Sequence, residues 1–349
     1  MAPTTSAPVL VTGATGYIGA NVVLELLQHG YRVRGTVRSQ RKFDQLAALP
    51  DFAKYRDRFE AAVVPDLVTG DFSQSVEGVE VVIHTASPCA LNVPEDPERD
   101  LLVPAVEGTK NIARAAIKAG TVRNLVVLSS ICAVLSFDEP TPFPEPAPRT
   151  FTEEDWNQAT YEDAINSKVP AFAYAASKKF AEKAAYEIVK ESGSSIKLVT
   201  LCPPLVFGPY CHVVDKLENL NETSKLLWHC VSGKWGKDLR PTVVAHAVDV
   251  RTLAAAHRLA FENNQEGRLL LNAGLYDWAY VVDIARKYFP QQTKETPEPK
   301  DSHRVIDNPK LLKLDDTRCK DLLGLEHRPL EETFRDAIGQ FFKDQAEGK

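Results

Sequence analysis

Short runs of apolar and β-branched residues alternate with helical stretches over the first two thirds of the chain. The helical stretches carry apolar residues near the 3.6-residue period at 20–30, 101–120 and 172–191, and the first of them ends at Gly30. This alternation is typical of a parallel sheet with helices on both faces, and it predicts a doubly wound α/β fold. The runs predicted to be strands are 8–12, 31–37, 58–64, 79–85, 123–130 and 196–202.

The alternation weakens after Pro203, which predicts a second and smaller lobe. Residues 210–236 are predicted to be loop and helix, 247–261 a helix and 268–273 a late strand. We expect this discontinuous lobe to lie over the carboxyl edge of the sheet. The proline-rich segment 138–149 is predicted to be a surface excursion, because proline continues neither regular structure.

These patterns predict a tail, a main unit and a smaller lobe. The predicted ranges are 1–7 for the tail, 8–203 and 237–273 for the main unit, and 204–236 and 274–345 for the lobe.

The composition narrows the partners and the location. Of 349 residues 44% are hydrophobic and 25% charged, and the formal net charge is -6, which predicts a folded protein that does not bind nucleic acid. The sequence has no apolar run of about 20 residues and no secretory pattern at its start, so we expect a cytoplasmic protein that does not bind membranes. Six cysteines without a C-x-x-C pair predict reduced thiols and no metal site.

Gly13, Gly16 and Gly19 follow the first strand and open the first helix. The first glycine can take the turn, the second lets the backbone approach a pyrophosphate, and the third allows close helix contact. A helix N-terminus then offers N–H groups to the phosphates. The spacing predicts a dinucleotide site in a Rossmann-type fold, and we expect Thr15, Tyr17 and Ile18 to line it as well.

The end of the second strand favours NADPH/NADP+ over NAD. No acidic residue, which an NAD enzyme uses to hold the ribose 2'-hydroxyl, lies between Tyr31 and Phe43. Arg38 can instead offer a forked donor to a 2'-phosphate, and Lys42 or Arg41 can add a second charge.

Residues after the third and fourth strands are also expected to contact the cofactor. Asp66 is placed to accept from the adenine amino group, and Leu67 lies beside it. Thr85, Ala86 and Ser87 are small enough for the dinucleotide to lie across the sheet edge. We interpret His84 as a structural histidine.

Tyr174 and Lys178 lie four residues apart on a predicted helix, so their side chains share one face. A neighbouring ammonium lowers the pKa of a phenol, which suits proton donation to a nascent alkoxide. The same lysine can hold the nicotinamide ribose. Ser129 and Ser130 end the fifth strand, where one hydroxyl should bond the substrate oxygen, and the spacing does not choose between them.

Thr12-Gly13-x-x-Gly16-x-x-Gly19, the LSS at 128–130 and Tyr174-x-x-x-Lys178 resemble the extended short-chain dehydrogenase/reductase family. Further segments resemble its fungal NADPH-dependent methylglyoxal and aldehyde reductases, close to plant dihydroflavonol reductases. These segments are 82–88, 100–112, 152–157, 177–187 and 206–209.

The resemblance implies that Ser130 joins Tyr174 and Lys178 as the catalytic set, and that Arg38 binds the 2'-phosphate. It also implies that Pro203 flanks the nicotinamide, that the main unit binds NADP and that the lobe binds substrate. The substrate pocket it implies is lined by Cys89, Ala90, Ile131, Cys132, Val169, Leu205 and Val206.

The resulting hypothesis is reduction of small aldehydes and ketones by hydride transfer from NADPH, in a monomer or homodimer. One alternative is an NAD(P)-dependent sugar-nucleotide epimerase or dehydratase, although Ala105 replaces the asparagine usual before the VxGT element of those enzymes. Cinnamoyl-CoA reductases carry a longer Trp/Tyr/Cys signature before the lysine, which AFAYAASK lacks, so the sequence also argues against the substrates of those enzymes. The other alternative is a dinucleotide-sensing regulator, although such proteins tend to lose the Tyr/Lys pair that is kept here.

Overall fold

In the computed structural model, which describes residues 4–87, 96–135 and 149–349, seven parallel strands form one central sheet. The described strands are, in chain order, β1 (Val9–Thr12), β2 (Val33–Val37), β3 (Phe59–Val63), β4 (Val81–His84), β5 (Asn124–Leu128), β6 (Thr150–Phe151), β7 (Lys197–Cys202), β8 (Leu205–Phe207), β9 (His246–Asp249), β10 (Gly267–Leu270), β11 (Gly274–Leu275) and β12 (Lys313–Leu314). The described α-helices are α1 (Tyr17–Gln28), α2 (Gln40–Ala47), α3 (Pro50–Ala53), α4 (Val103–Ala119), α5 (Tyr161–Asn166), α6 (Pro170–Ser192), α7 (Glu222–Val231), α8 (Val250–Glu262), α9 (Trp278–Tyr288), α10 (Thr317–Leu323) and α11 (Leu330–Ala346).

The strand order of the central sheet is β10-β7-β5-β4-β1-β2-β3. The chain therefore winds outward from β1 in one direction and from β4 in the other. A crevice forms between β1 and β4 at the carboxyl ends of the strands, which is where open α/β sheets bind ligands. The predicted doubly wound α/β fold is confirmed, and every strand predicted from 8–12 to 196–202 is present.

Both faces of this sheet are buried except along the edge strand β3, where Glu60 and Val63 are exposed. Val9 and Val11 of β1 belong to a core shared with α1 and α8, while Leu10 points to a second core shared with α4 and α6. Because the strands are covered on both sides, their sequences are apolar runs rather than alternating patterns. A π-helical turn at Glu98–Leu102 leads into α4, which ends at Gly120 in the left-handed conformation.

A small three-stranded sheet runs in the order β11-β9-β8, and we call this sheet and the helices packed around it the second lobe. Helices α7, α9 and α11 surround it, and its core includes the aromatic rings of Phe207, Tyr276 and Phe334. The predicted late strand at 268–273 is present as β10, which pairs with β7 at the edge of the central sheet.

The helix predicted over 247–261 is wrong at its start. Residues up to Asp249 form β9, which pairs in parallel with β8, and the helix begins at Val250. The Asp249 carboxylate accepts the backbone N–H of Arg251 and so caps α8. A short buried strand that runs directly into a helix has the same apolar character as the helix, so periodicity does not separate them.

The proline-rich segment at 138–149 lies, except for Arg149, outside the described residues, and its predicted excursion stays a prediction. None of the described helices is both long and apolar enough to cross a membrane.

Candidate active site

A cavity of about 1790 Å³ runs along the carboxyl edge of the central sheet and under the second lobe. Small-molecule pockets typically enclose about 300–1,000 Å³, so there is room for a dinucleotide together with a substrate. Of the residues predicted to form the site, Cys89 and Ala90 lie outside the described part of the chain. Apart from Arg41, the others line this cavity: Gly13, Thr15, Gly16, Tyr17, Ile18, Gly19, Arg38, Lys42, Asp66, Leu67, Thr85, Ala86, Ser87, Ser130, Ile131, Cys132, Val169, Tyr174, Lys178, Pro203, Leu205 and Val206.

The glycine loop joins β1 to α1 as the spacing predicted. Gly13 has a φ of +70°, which favours glycine, and a Cβ on Gly19 would lie 2.2 Å from the Gly13 carbonyl oxygen. Gly16 takes the N-cap position of α1 without a side-chain cap. The first N–H groups of α1 therefore border the cavity and are available for phosphate oxygens.

Hydrogen bonds from the residues after β4 hold the glycine loop in place. The Thr85 hydroxyl donates to the Thr12 carbonyl at 2.6 Å, and the Ala86 N–H donates to the Thr12 hydroxyl. His84 lies between the hydroxyls of Thr12 and Thr109, at 2.8 and 3.3 Å. Burial, together with the nearby charge of Lys178, lowers the pKa of His84 to about 3, so the imidazole is neutral and its role is structural.

Two cations lie at the far end of the cavity, beside the start of α2. Arg38 directly follows β2, and Lys42 lies in the first turn of α2. Both side chains are exposed, line the cavity and make no hydrogen bond or ion pair with the described residues. Arg41 does not line the cavity, so Lys42 is the better placed of the two candidates for a second charge.

Asp66 lines the cavity but also forms a turn. Its Oδ1 accepts the backbone N–H groups of Val68 and Thr69 and the Thr69 hydroxyl. These hydrogen bonds, with a smaller contribution from Arg38, lower the pKa of the Asp66 carboxyl. Its Oδ1 is therefore bound within the turn, and the predicted contact with adenine stays a prediction.

The two serines after β5 have different surroundings. Ser129 is buried, and its hydroxyl donates to Glu182 Oε2 at 2.6 Å. Ser130 is half-buried, and its oxygen accepts the Cys132 N–H at 3.1 Å, so it caps the helical turn Ile131–Ala133. These contacts favour Ser130 as the hydroxyl that meets a substrate, because the Ser129 hydroxyl is already bound on the inner side.

Tyr174 and Lys178 lie one turn apart near the start of α6, and both line the cavity. Lys178 is 6% exposed, with its Nζ 6.0 Å from the centre of the Tyr174 ring and 3.5 Å from the carbonyl oxygen of Leu128. The amine is thus held between the phenol and the end of β5. The Ile131 N–H donates to the Pro203 carbonyl, which ties the Ser130 turn to the junction of β7 and β8.

The second lobe supplies a wall that sequence reasoning missed. Val244 packs against the cluster that contains Ile131 and Ala175, next to Tyr174. Trp278 contacts Trp235 with ring centres 5.0 Å apart. The additional lining residues of the lobe include Val213, Leu226, Trp235, Arg240, Val243, Val244, Tyr276 and Trp278.

These wall residues come from four separated stretches without a common pattern. Trp235 lies between Gly233 and Gly236. A tryptophan in a glycine-containing loop was the one sign of this wall in the sequence, because tryptophan is mostly buried or bound in folded proteins. Among the described residues, no group of three or more His, Cys, Asp or Glu side chains is placed to hold a metal ion.

Comparisons with known proteins agree with this architecture. A family model described as the NAD dependent epimerase/dehydratase family matches residues 9–290. An oxidoreductase of Schizosaccharomyces pombe is 37% identical over 98% of this chain and 98% of its own. The NADPH-dependent methylglyoxal reductase of Saccharomyces cerevisiae is 34% identical over 96% of this chain and 98% of its own. The crystal structure of yeast methylglyoxal/isovaleraldehyde reductase complexed with NADPH matches with a TM-score of 0.85 at 33% identity, covering 97% of this chain and 99% of that chain.

Proposed function

Because the chain belongs to the NAD-dependent epimerase/dehydratase family, we propose that it is an NADPH-dependent reductase that converts small aldehydes and ketones to alcohols. One observation carries the proposal: the glycine loop, the Arg38 and Lys42 pair, and Ser130, Tyr174 and Lys178 all line one cavity. The yeast relative that is named an NADPH-dependent methylglyoxal reductase supports the same chemistry.

The residues present fit NADPH. The cradle at Gly13, Gly16 and Gly19 would hold the pyrophosphate against the start of α1. Arg38 and Lys42, which pair with no described carboxylate, would bind the 2'-phosphate through charge-assisted hydrogen bonds. When bound, this cofactor supplies the hydride.

The chain's own groups then act on the carbonyl oxygen. The Tyr174 hydroxyl donates the proton that turns the nascent alkoxide into an alcohol, and the Ser130 hydroxyl donates a hydrogen bond to the same oxygen. The Lys178 ammonium, 6.0 Å from the ring centre, stabilises the phenolate that remains. The Leu128 carbonyl holds that ammonium in place.

The substrate is a small molecule that enters from the side of the second lobe. Ile131, Leu205, Val206 and the aromatic residues Tyr276 and Trp278 give this end of the cavity an apolar surface. We propose that the central sheet with its helices is the NADP-binding unit and that the small sheet with α7, α9 and α11 is the substrate-binding lobe.

Replacement of Tyr174 tests the proton-donor role. NADPH absorbance is followed with a panel of short aldehydes and ketones for the wild type and Tyr174→Phe, with Tyr161→Phe as a control outside the cavity. We expect steady NADPH oxidation by the wild type and by the control. Tyr174→Phe should lower kcat by about 10²–10⁴-fold, because general acid catalysis contributes on that scale, and should leave the NADPH Kd within about twofold.

Three outcomes would oppose this proposal in different ways. Full turnover by Tyr174→Phe would refute the proton donor. Tight NADPH binding by the wild type without oxidation would favour a dinucleotide sensor. Conversion of a sugar nucleotide without net consumption of cofactor would favour an epimerase.

A further inference from the structure

A buried ion pair lies directly behind the Ser130 turn. Glu182 and Arg268 are 1% and 8% exposed, and Arg268 Nε donates to Glu182 Oε1 at 2.7 Å. Glu182 belongs to α6, four residues after Lys178, and Arg268 belongs to β10 at the sheet edge. Burying two charges costs free energy unless their hydrogen bonds are satisfied, so a contribution to stability alone does not explain an ion pair at this depth.

The carboxylate of Glu182 is hydrogen-bonded to the chain directly after β5. Its Oε2 accepts the hydroxyl of Ser129 at 2.6 Å, and Ser129 is the residue immediately before Ser130. Lys178, one turn earlier on α6, donates to the carbonyl of Leu128 on the other side of Ser129. Two successive turns of the helix that carries Tyr174 therefore hold two successive residues that lead to Ser130. Ser129, Lys178 and Glu182 also border a shared small cavity of about 10 Å³.

Arg268 also contacts the far side of the turn that Ser130 caps. Its Nη2 lies 3.5 Å from the carbonyl oxygen of Ala133, the last residue of the helical turn that Ser130 caps. Its Nη1 donates to the carbonyls of Glu153 and Asp155, and its guanidinium carbon lies 3.6 Å from the centre of the Trp156 ring. The ion pair thus contacts the chain both before and after Ser130.

We propose that Glu182, held by Arg268, is a positioning residue that fixes the Ser130 hydroxyl relative to the Tyr174 hydroxyl. This inference rests on the proposed reduction chemistry, in which both hydroxyls must meet one carbonyl oxygen. Any slide of α6 along β5 would move Tyr174 and Ser130 apart. Misplacement of catalytic groups by about 1 Å can cost on the order of 10²-fold in rate.

The chain offers a matched pair of hydroxyl donors to this carboxylate. Ser129 bonds Oε2, and Thr200 of β7 bonds Oε1, both at 2.6 Å, and both residues are buried. Without the Thr200 hydroxyl, Oε1 still accepts from Arg268 Nε. Without the Ser129 hydroxyl, the carboxylate loses its contact with the turn. Ser129→Ala and Thr200→Val each remove one hydroxyl donor to Glu182, and Thr200→Val also removes the contact with the Tyr186 hydroxyl at 3.1 Å. Only the first change acts on Ser130.

The experiment compares the wild type, Ser129→Ala, Thr200→Val and Glu182→Asp. Glu182→Asp keeps a carboxylate for Arg268 but shortens its reach to Ser129. The measurements are kcat, KM for the carbonyl substrate, NADPH Kd, melting temperature and the deuterium isotope effect on kcat with NADPH deuterated at C4. A smaller folded fraction would lower kcat but would not change the isotope effect.

We expect Ser129→Ala and Glu182→Asp each to lower kcat about tenfold and to raise the isotope effect, with KM and NADPH Kd within about twofold. The double variant should lose no more than the larger single loss, because both changes break one contact. Thr200→Val should keep kcat and the isotope effect within about twofold.

Equal losses in Ser129→Ala and Thr200→Val would overturn the positioning role, as would normal kinetics in Ser129→Ala. A loss in Ser129→Ala alone, with normal kinetics in Glu182→Asp, would assign Ser129 a direct contact with substrate and would also overturn it. If the wild type itself oxidises no NADPH with any carbonyl compound, the proposed function fails and this inference fails with it.

Discussion

Arg38 occupies the position where an acidic residue would select NAD. It directly follows β2 and lines the cavity, and its charge makes a small contribution to the lowered pKa of the Asp66 carboxyl. A guanidinium offers a planar fork that matches phosphate oxygens, whereas it offers little to a ribose hydroxyl. The preference for NADPH should therefore depend on this one side chain more than on its basic neighbours.

Arg38→Ala should raise the apparent KM for NADPH by about 10- to 100-fold, since a hydrogen bond to a charged group contributes about 1.5–3 kcal/mol. The KM for NADH should change by less than about threefold. Arg41→Ala serves as the control, because Arg41 is a basic residue of α2 that does not line the cavity. Steady-state kinetics with both cofactors measure the effect. Equal changes for NADPH and NADH in Arg38→Ala would contradict the assignment of the 2'-phosphate site.

Ser129 and Ser130 are adjacent in the sequence but have different partners in the structure. The sequence places both at the carboxyl end of β5, but neighbours in a sequence carry no information on which hydroxyl faces inward. The structure separates them by their partners, since Ser129 bonds Glu182, which lies 53 positions away, while Ser130 caps the next turn. Long-range partners of this kind follow from the fold and not from local spacing.

At the scale of elements, the approach of α1 to β1 depends on Gly19. A Cβ at this position would lie 2.2 Å from the Gly13 carbonyl oxygen and 2.9 Å from the Thr85 hydroxyl. Neither atom belongs to a flexible side-chain end, because the first is backbone and the second is held by the Thr12 carbonyl. An added methyl group would therefore push the start of α1 away from the loop that it forms.

Gly19→Ala should weaken NADPH binding at least tenfold, because the N–H groups at the start of α1 would leave the phosphate site. Gly120→Ala is the matched control. Gly120 ends α4 with a φ of +69° and open space around its Cβ position, so this change should cost about 1 kcal/mol of folding free energy without affecting the cofactor. Fluorescence titration with NADPH measures affinity, and thermal unfolding measures stability. Similar NADPH affinity in both variants would contradict the account of the loop.

The strands of the central sheet that are mostly buried were predicted well from the sequence. Strands β1, β2, β4, β5 and β7 are mostly buried on both faces and bounded by turns, so their apolar runs mark them to within a few residues. The edge strand β3 is partly exposed, but its sequence is still apolar except at Glu60. The predicted helix was wrong at 247–249 because no turn marks the boundary there. There a buried strand continues into a capped helix without a turn residue, and only its pairing with β8 and β11 reveals it as a strand.

At the scale of the whole molecule, the cavity has two sides of different origin. The end beside the glycine loop is lined by residues that follow β1 to β4 of the central sheet, and the alternation of elements predicts these strands. The other end is lined by residues near 213, 226, 240 and 277, which meet through the packing of the second lobe. The sequence therefore predicted the glycine loop, Arg38, Lys42 and the residues after β3 and β4. It did not predict Thr36, Leu46, Val64 or Phe72, which also line the cavity, and in the second lobe it predicted only the residues near Pro203.

In the proposed reaction a hydride passes from NADPH to a carbonyl carbon in this cavity. Transfer can be followed with NADPH carrying two deuterium atoms at C4, a carbonyl substrate that the wild type consumes, and mass spectrometry of the product. We expect an alcohol with one deuterium on its carbinol carbon, formed in equal amount to the NADPH oxidised. NADPH oxidation that leaves no deuterium in the alcohol would rule out hydride transfer to the carbonyl carbon.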